Sequence, residues 1–520
     1  MKIVKLTFIS SIVSLNLMAV DMGGVMSEVA KTNPQVIQKM KDYNAVYESL
    51  QMANGDFLPS VDLSAGVFKV HTDRTKPKKE DNTYTNRSLT LKATENLFNG
   101  YGTVNEIDAK KASLASAAFS YLQTVNEMSL NGAKAYLDLV RHRDLLNVEI
   151  DNFNKHKKIM KAITARSKAG VGVVGDAQEI TAKTNLAYAN YLAESKNLKA
   201  SQIAINRILG RTLDVNTLVS PDVGDVLTYT LPQAIEFALK HNPSLFVQKY
   251  NVIQARYNQK RDEKAFLPKV DVSVAKSYGK GKDDDTGAEK EYEQLSGGVS
   301  LNWNLFNGFK DMHNKQKNIS LIQSQQEKYN DVKRGVIQEC QLAWMSYKMQ
   351  EKEYAYLTKY LTNAKAKLDT NTKLFQIGKK SLFEFLASQT DYNNAKEKLI
   401  NTKYDLVFAK LKVLKALGIL ADMTLPDAKQ SIGITGDGLF DYKAMTYKAD
   451  TLPPREEELN TQGSVVVNDL VSFDSYGIVA PSKDSAKIKC NDSYENDETY
   501  KKVYDEEYIA PRSAIKRRKR

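Results

Sequence analysis

The sequence predicts a mainly α protein with a small β part, built as a duplicated helix–β-hairpin–long helix–helix unit. Three observations predict it. The tetrapeptide LFNG occurs at Leu97–Gly100 and again at Leu305–Gly308. The apolar period is two before each copy and helical after it. Other motifs recur at the same offset of 208 or 209 positions: Asn33-Pro34 with Asn242-Pro243, Phe57-Leu58-Pro59 with Phe266-Leu267-Pro268, Ala135-Tyr136 with Ala343-Trp344, and Leu209-Gly210 with Leu417-Gly418. That period is far longer than the roughly 20–50 residues of a solenoid repeat, so each copy is a large unit.

The chain divides on this reading into a leader at 1–19, a first repeat at 20–210, a linker at 211–225, a second repeat at 226–420 and a polar, partly disordered C-terminal extension at 421–520. The leader MKIVKLTFISSIVSLNLMAV carries Lys2 and Lys5 ahead of an apolar stretch, the pattern of a secretory signal peptide. No later run is long and apolar enough for a transmembrane helix.

Within the first repeat, Val29, Val36, Met40, Val46 and Leu50 recur at helical spacing until Gly55 and Pro59 stop them. A hairpin follows at about 57–98. Val61, Leu63, Ala65 and Val67 alternate with Asp62, Ser64 and Gly66, and Leu89, Leu91 and Ala93 alternate with Ser88, Thr90 and Lys92. From Gly102 to about Lys168 no proline interrupts a helical pattern, which implies a helix on the order of 100 Å long. A tight turn, AGVGVVG, leads into a further helix ending near Leu209-Gly210.

The second repeat has the same order, with its hairpin at about 266–306. Val272, Val299, Leu301 and Trp303 lie on an apolar face, and Asp271, Ser300 and Asn302 on a polar one. An alternation of this kind over about ten residues is the pattern of a transmembrane β-strand, although a soluble hairpin alternates in the same way. Four strands are too few for a conducting barrel, since membrane barrels start at about eight, and open edges are not tolerated in lipid. Three chains would supply twelve strands. LFNG is then the joint where strand becomes helix, with Asn99-Gly100 and Asn307-Gly308 able to take the positive φ of such a turn.

The remaining features exclude several function classes. The net charge is +12, but part of the excess sits in Arg512 and Lys516 through Arg520, and elsewhere bases mix with acids, so no nucleic-acid partner is expected. Gly170, Gly172 and Gly175 spell GxGxxG, with Glu194 at the spacing of a ribose carboxylate. A dinucleotide site needs a strand before the glycines, and here a helix precedes them. The five histidines show no metal-ligand spacing, and no catalytic constellation has local support. The expectation is a chain with no cofactor, no metal and no enzymatic activity. Cys340 and Cys490 could join in an oxidising compartment, but an unpaired state is the expectation.

Ser381-Leu-Phe-Glu384 matches a capping box, and Asp176 occupies the position of Glu384 in the first repeat. Both acids can cap helix starts. Alternatively, Glu384 places negative charge at the narrow end of a tube, as a gate whose mutual repulsion raises the carboxyl pKa.

The doubled NP, FLP and LFNG motifs, the long helices and the turns around Gly170 and Gly378 resemble the outer-membrane efflux protein family, whose archetype is TolC. The resemblance covers roughly residues 22 to 420. It implies a homotrimeric α-helical barrel topped by a shared 12-stranded transmembrane β-barrel in outer-membrane lipid, extending into the periplasm. The implied function is the exit duct of a tripartite efflux pump or type I secretion system. The implied partners are a periplasmic adaptor (membrane fusion) protein and, through it, an inner-membrane RND or ABC transporter. Gly170, Gly172, Asp176, Gly378, Lys380 and Ser381 match the periplasmic tip and adaptor contact, and Glu384 the gate. Ala387 stands where some members carry a second gate carboxylate. The rival reading, a non-conducting coiled-coil structural or adhesion protein of the cell envelope, explains the helices but not the hairpins.

Overall fold

The computed structural model describes residues 20–74, 80–222, 227, 230–282, 288–425, 429 and 432. The leader, the loop tips of both hairpins, Cys490 and nearly all of the C-terminal extension lie outside the described residues. All described residues belong to one compact unit, Met1–Val471.

The first repeat comprises α1 (Met22–Thr32), α2 (Pro34–Gly55), β1 (Ser60–Arg74), β2 (Glu80–Asn99), α3 (Gly102–Lys168) and α4 (Val174–Leu209). The second comprises α5 (Leu231–His241), α6 (Pro243–Asp262), β3 (Lys269–Lys282), β4 (Glu289–Asn302), α7 (Lys310–Gln376) and α8 (Leu382–Leu417), followed by the short α9 (Leu420–Thr424). Helices α3 and α7 each have 67 residues, and α4 and α8 each have 36.

The recurring motifs have physical reasons. Each Asn-Pro pair starts the second helix of its repeat. Asn33 and Asn242 each accept a bond from the backbone N–H two residues on, and proline at the first helical position has no N–H to leave unsatisfied. The same asparagines tie that helix to the end of the fourth one: Asn33 donates to the Ile208 carbonyl at 3.2 Å and Asn242 to the Ala416 carbonyl at 2.9 Å. Gly210 and Gly418 end α4 and α8 with φ of 75° and 83°, a conformation that costs glycine nothing.

At the LFNG joints the positive φ falls one residue later than the sequence suggests. Gly100 and Tyr101, and Gly308 and Phe309, are the left-handed residues, not the asparagines. Asn99 instead accepts from the Thr103 N–H in the first turn of α3 at 3.2 Å. The aromatic that follows each glycine is held edge-on, Tyr101 against Phe98 and Phe309 against Phe306.

The core lies where α2, α3 and α6 meet. Val36, Tyr43 and Leu50 of α2 pack with Leu114, Phe119 and Leu122 of α3, and Phe119 stacks on Phe246 at 4.6 Å. Part of the region read as a polar extension belongs to this core: Ala421, Met423, Thr424 and Ile432 are buried, and Tyr43 donates to the Ile432 carbonyl. A further tie crosses the chain near its start. The Tyr136 hydroxyl lies 2.7 Å from the Val20 carbonyl oxygen and 2.6 Å from that of Val219, where Val20 and Leu218 form a parallel bridge.

Candidate functional site: the sheet and the helical tip

The four strands form one antiparallel sheet in the order β1-β2-β3-β4. Directly opposed residues share a face, so the register sorts the side chains. Val61, Ala93, Val274 and Gly297 form one row, and Leu63, Leu91, Lys276 and Leu295 the next. Continued along the strands, that face carries Ala65, Val67, Leu89, Val270, Val272, Val299 and Leu301. The other face carries Asp62, Ser64, Lys92, Thr90, Ser273, Ser277, Ser296 and Ser300. Toward the strand ends near the loops the apolar face becomes charged, with the pairs Lys276–Glu293 at 2.7 Å and Lys280–Glu291 at 3.4 Å.

The apolar face is open. Val299 and Leu301 are 69% and 65% exposed, whereas Val272 is half-buried between Glu95 and Val299. Trp303 differs from its expected place: β4 ends at Asn302, and Trp303 lies just beyond it, donating from Nε1 to the Phe266 carbonyl at 3.3 Å. A sheet with one greasy face, one polar face and two unpaired edges cannot be satisfied alone in lipid.

The other candidate region is the helical tip. The turns α3–α4 and α7–α8 pack together at one end of the helices through Ile163, Ile180, Leu368, Leu382, Phe385 and Leu386, with Phe375 stacked on Phe385 at 5.0 Å. Gly170 and Gly378 have φ of 72° and 74° and close the ends of α3 and α7. Gly172 is needed for space, because a Cβ there would lie 3.1 Å from the Ser167 backbone nitrogen. Helices flank this glycine run on both sides, so the strand that a dinucleotide site needs is missing. Val171, Val173, Val174, Ile377 and Phe383 are exposed around the turns, an apolar rim suited to a protein partner.

Ser381 is the N-cap of α8, and Glu384 closes a capping box with it. The Glu384 carboxylate accepts from the Ser381 N–H at 3.2 Å and hydroxyl at 3.1 Å, and Ser381 Oγ accepts from the Glu384 N–H at 3.2 Å. Lys380 also pairs with that carboxylate. The hydrogen bond from Lys380, then those from Ser381, hold the Glu384 carboxyl below the usual range, opposite to the rise expected for a bare acidic ring. Asp176 is not a cap: the N-cap of α4 is Val173, with no side-chain bond, and Asp176 stands in the first turn, where negative charge suits the helix dipole.

An acidic cluster along the helices is not visible in the sequence pattern. Glu397 of α8 stands beside the buried Glu149 of α3, and Glu194 of α4 bonds His142 of α3 at 2.6 Å. Burial first, then the charge of Glu149, pushes the Glu397 carboxyl up to about 7. Burial also acts to raise Glu194, but the bonds from His142 and Asn197 prevail and hold it low. Asn393 continues the network, donating to Asn152 at 2.6 Å.

The sequence profile described as "Outer membrane efflux protein" matches residues 25–211 and 234–419, one copy on each repeat. The chain belongs to the outer membrane efflux protein family. It is 20% identical over 423 residues to outer membrane protein TolC of Vibrio cholerae, covering 80% of this chain and 94% of that one. It is 20% identical over 419 residues to the alkaline protease secretion protein AprF of Pseudomonas aeruginosa, covering 78% and 86%. Its fold is that of the CmeC outer membrane channel of Campylobacter jejuni, with a TM-score of 0.66 at 16% identity, covering 76% of this chain and 85% of that one. As a member of the efflux family the chain is an outer-membrane exit duct for efflux or type I secretion.

Proposed function

We propose that three copies of this chain close one conduit through the outer membrane. Their sheets form a 12-stranded barrel, apolar faces outward and polar faces toward the lumen, and α3, α4, α7 and α8 of the three copies continue it as a helical tube into the periplasm. The observation that carries this reading is that the described residues form one four-stranded sheet with an open apolar face and, among those residues, two free edges. Barrel closure removes the edges and lipid covers the face. The duct is passive and has no catalytic role.

The tip, with Gly170, Gly172, Asp176, Gly378, Lys380 and Ser381, meets a periplasmic adaptor, which couples the duct to an inner-membrane RND or ABC transporter. Glu384 stands beside the axis at the tip, as half of a Lys380–Glu384 pair repeated three times. Light scattering in detergent, with the detergent mass subtracted, tests the assembly. A trimer that conducts in planar bilayers is expected, and a monomer that conducts would overturn the reading.

A further inference from the structure

The two faces of the sheet exchange character toward the loop ends of the strands. On the apolar face, the row of Leu63, Leu91, Lys276 and Leu295 is followed by Ala65, Leu89, Tyr278 and Glu293, then by Val67, Arg87, Lys280 and Glu291. Charge replaces apolar surface there. On the polar face the change runs the other way. The row of Ser64, Thr90, Ser277 and Gln294 gives way to Gly66, Ser88, Gly279 and Tyr292. Beyond it stand Phe68 opposite Asn86, Gly281 opposite Lys290, and Val70 opposite Tyr84.

Two aromatic rings lean over this face because the residue beneath each has no side chain. A Cβ on Gly66 would lie 2.5 Å from Phe68 Cε2, and a Cβ on Gly279 would lie 2.4 Å from Tyr292 Cε1. Adjacent strands stand about 4.8 Å apart, so the two glycines are about 10 Å apart, with Ser88 between them. Phe68 is 61% exposed and Tyr292 44%, so neither ring is covered. Among the described residues of these rows, Lys290 is the one charged side chain on the face. Lipid cannot account for the rings, because they stand on the face that the proposed barrel turns to its lumen. Covering a glycine shields the strand backbone, but that uses only the underside of each ring.

We propose that Phe68, Tyr292 and Lys290 form a platform in the lumen, at the end away from the helices, that binds planar aromatic anions on their way out. The inference rests on the barrel reading and gives its lumen a chemical preference. A flat aromatic ring stacks on the bare ring faces, whereas a saturated ring of similar size gains contact area without the quadrupole interaction. The Lys290 ammonium supplies the countercharge, and Ser88 offers a hydroxyl between the rings. Three copies of the sheet set three such platforms around one lumen.

Planar-bilayer recordings test the platform with two probes of equal charge, naphthalenesulfonate and its saturated counterpart decalinsulfonate. In the parent channel, naphthalenesulfonate should interrupt the current at a concentration about tenfold below that needed with decalinsulfonate. Phe68→Leu with Tyr292→Leu keeps apolar side chains without ring faces, and should bring the two probes together. Phe68→Tyr with Tyr292→Phe should keep them apart. Lys290→Gln should weaken block by both. Equal block by the two sulfonates in the parent, or a difference that survives in the leucine variant, overturns the platform and leaves the barrel standing. The comparison in the parent decides the matter even where the leucine variant fails to fold. Block unchanged by Lys290→Gln overturns the preference for anions. A parent that forms no conducting trimer overturns the barrel reading beneath the proposal.

Discussion

Glu397 on α8 faces the buried Glu149 on α3, and burial together with the charge of Glu149 raises the Glu397 carboxyl to about 7. The two residues bring the second repeat against the first.

The pair makes stability fall with rising pH. The Glu397 carboxyl is raised to about 7 in the folded protein, while an unfolded chain gives up that proton near the ordinary 4.5. Between those values the folded state binds the extra proton, so stability is greatest at the acid end and declines as pH rises toward 7. Glu397→Gln keeps the size of the side chain and removes the titration. Thermal melts of the variant should lose much of the decline seen in the parent between pH 5 and 7.5. A parallel decline in both would assign the pH dependence to other groups.

At the tip, Lys380 pairs with Glu384, so the proposed trimer would present three such ion pairs. Lys380→Ala should bare three carboxylates and strengthen block by millimolar divalent or trivalent cations applied from the periplasmic side in planar bilayers. Adding Glu384→Gln should abolish that gain. Block unchanged in both variants would leave the two residues as parts of a helix cap. The depressed Glu384 carboxyl stabilises the turn above about pH 4.5, and that contribution is lost as pH falls through its lowered folded value.

On the sheet, Leu301→Arg should impair insertion by about 2–4 kcal/mol near the bilayer midplane, while Ser300→Arg, on the polar face, should be tolerated. Outer-membrane yield measures both. Equal yields would argue for a sheet that does not face lipid.

Tyr136→Phe should cost about 1–2 kcal/mol, because it removes the hydroxyl that lies against the Val20 and Val219 carbonyls. Denaturant melts would show the loss, and a change within error would mean that water replaces the hydroxyl.

Much of this architecture can be read from the residues alone, for local reasons. Asn-Pro marks a helix start, Gly170 and Gly378 mark turns, and the alternation around Val299 marks a strand. Contacts made at long range are not legible in this way. Glu149 stands at helical spacing between buried Leu145 and His156, so a charged residue in an apolar seam was the available signal. Its partner lies on another helix in the other repeat, and no local pattern points to it. Alternation places Trp303 on a strand but does not say where pairing ends. The sequence places Lys380 at the tip but does not mark it as the partner of Glu384, because the fourfold spacing between them matters only once the helix start is fixed.

The equal lengths of α3 and α7, and of α4 and α8, have a bearing on how this chain can change over generations. Because both turns pack into one apolar cluster, each helical pair must reach the same depth. Deleting seven residues from α3 alone would withdraw its turn by about 10 Å and separate Ile163 and Ile180 from Leu368 and Phe385. Compensating deletions would then be needed in α4, α7 and α8 together. Point substitutions can accumulate independently in the two halves, as Tyr136 and Trp344 have diverged, while length is inherited as a matched set.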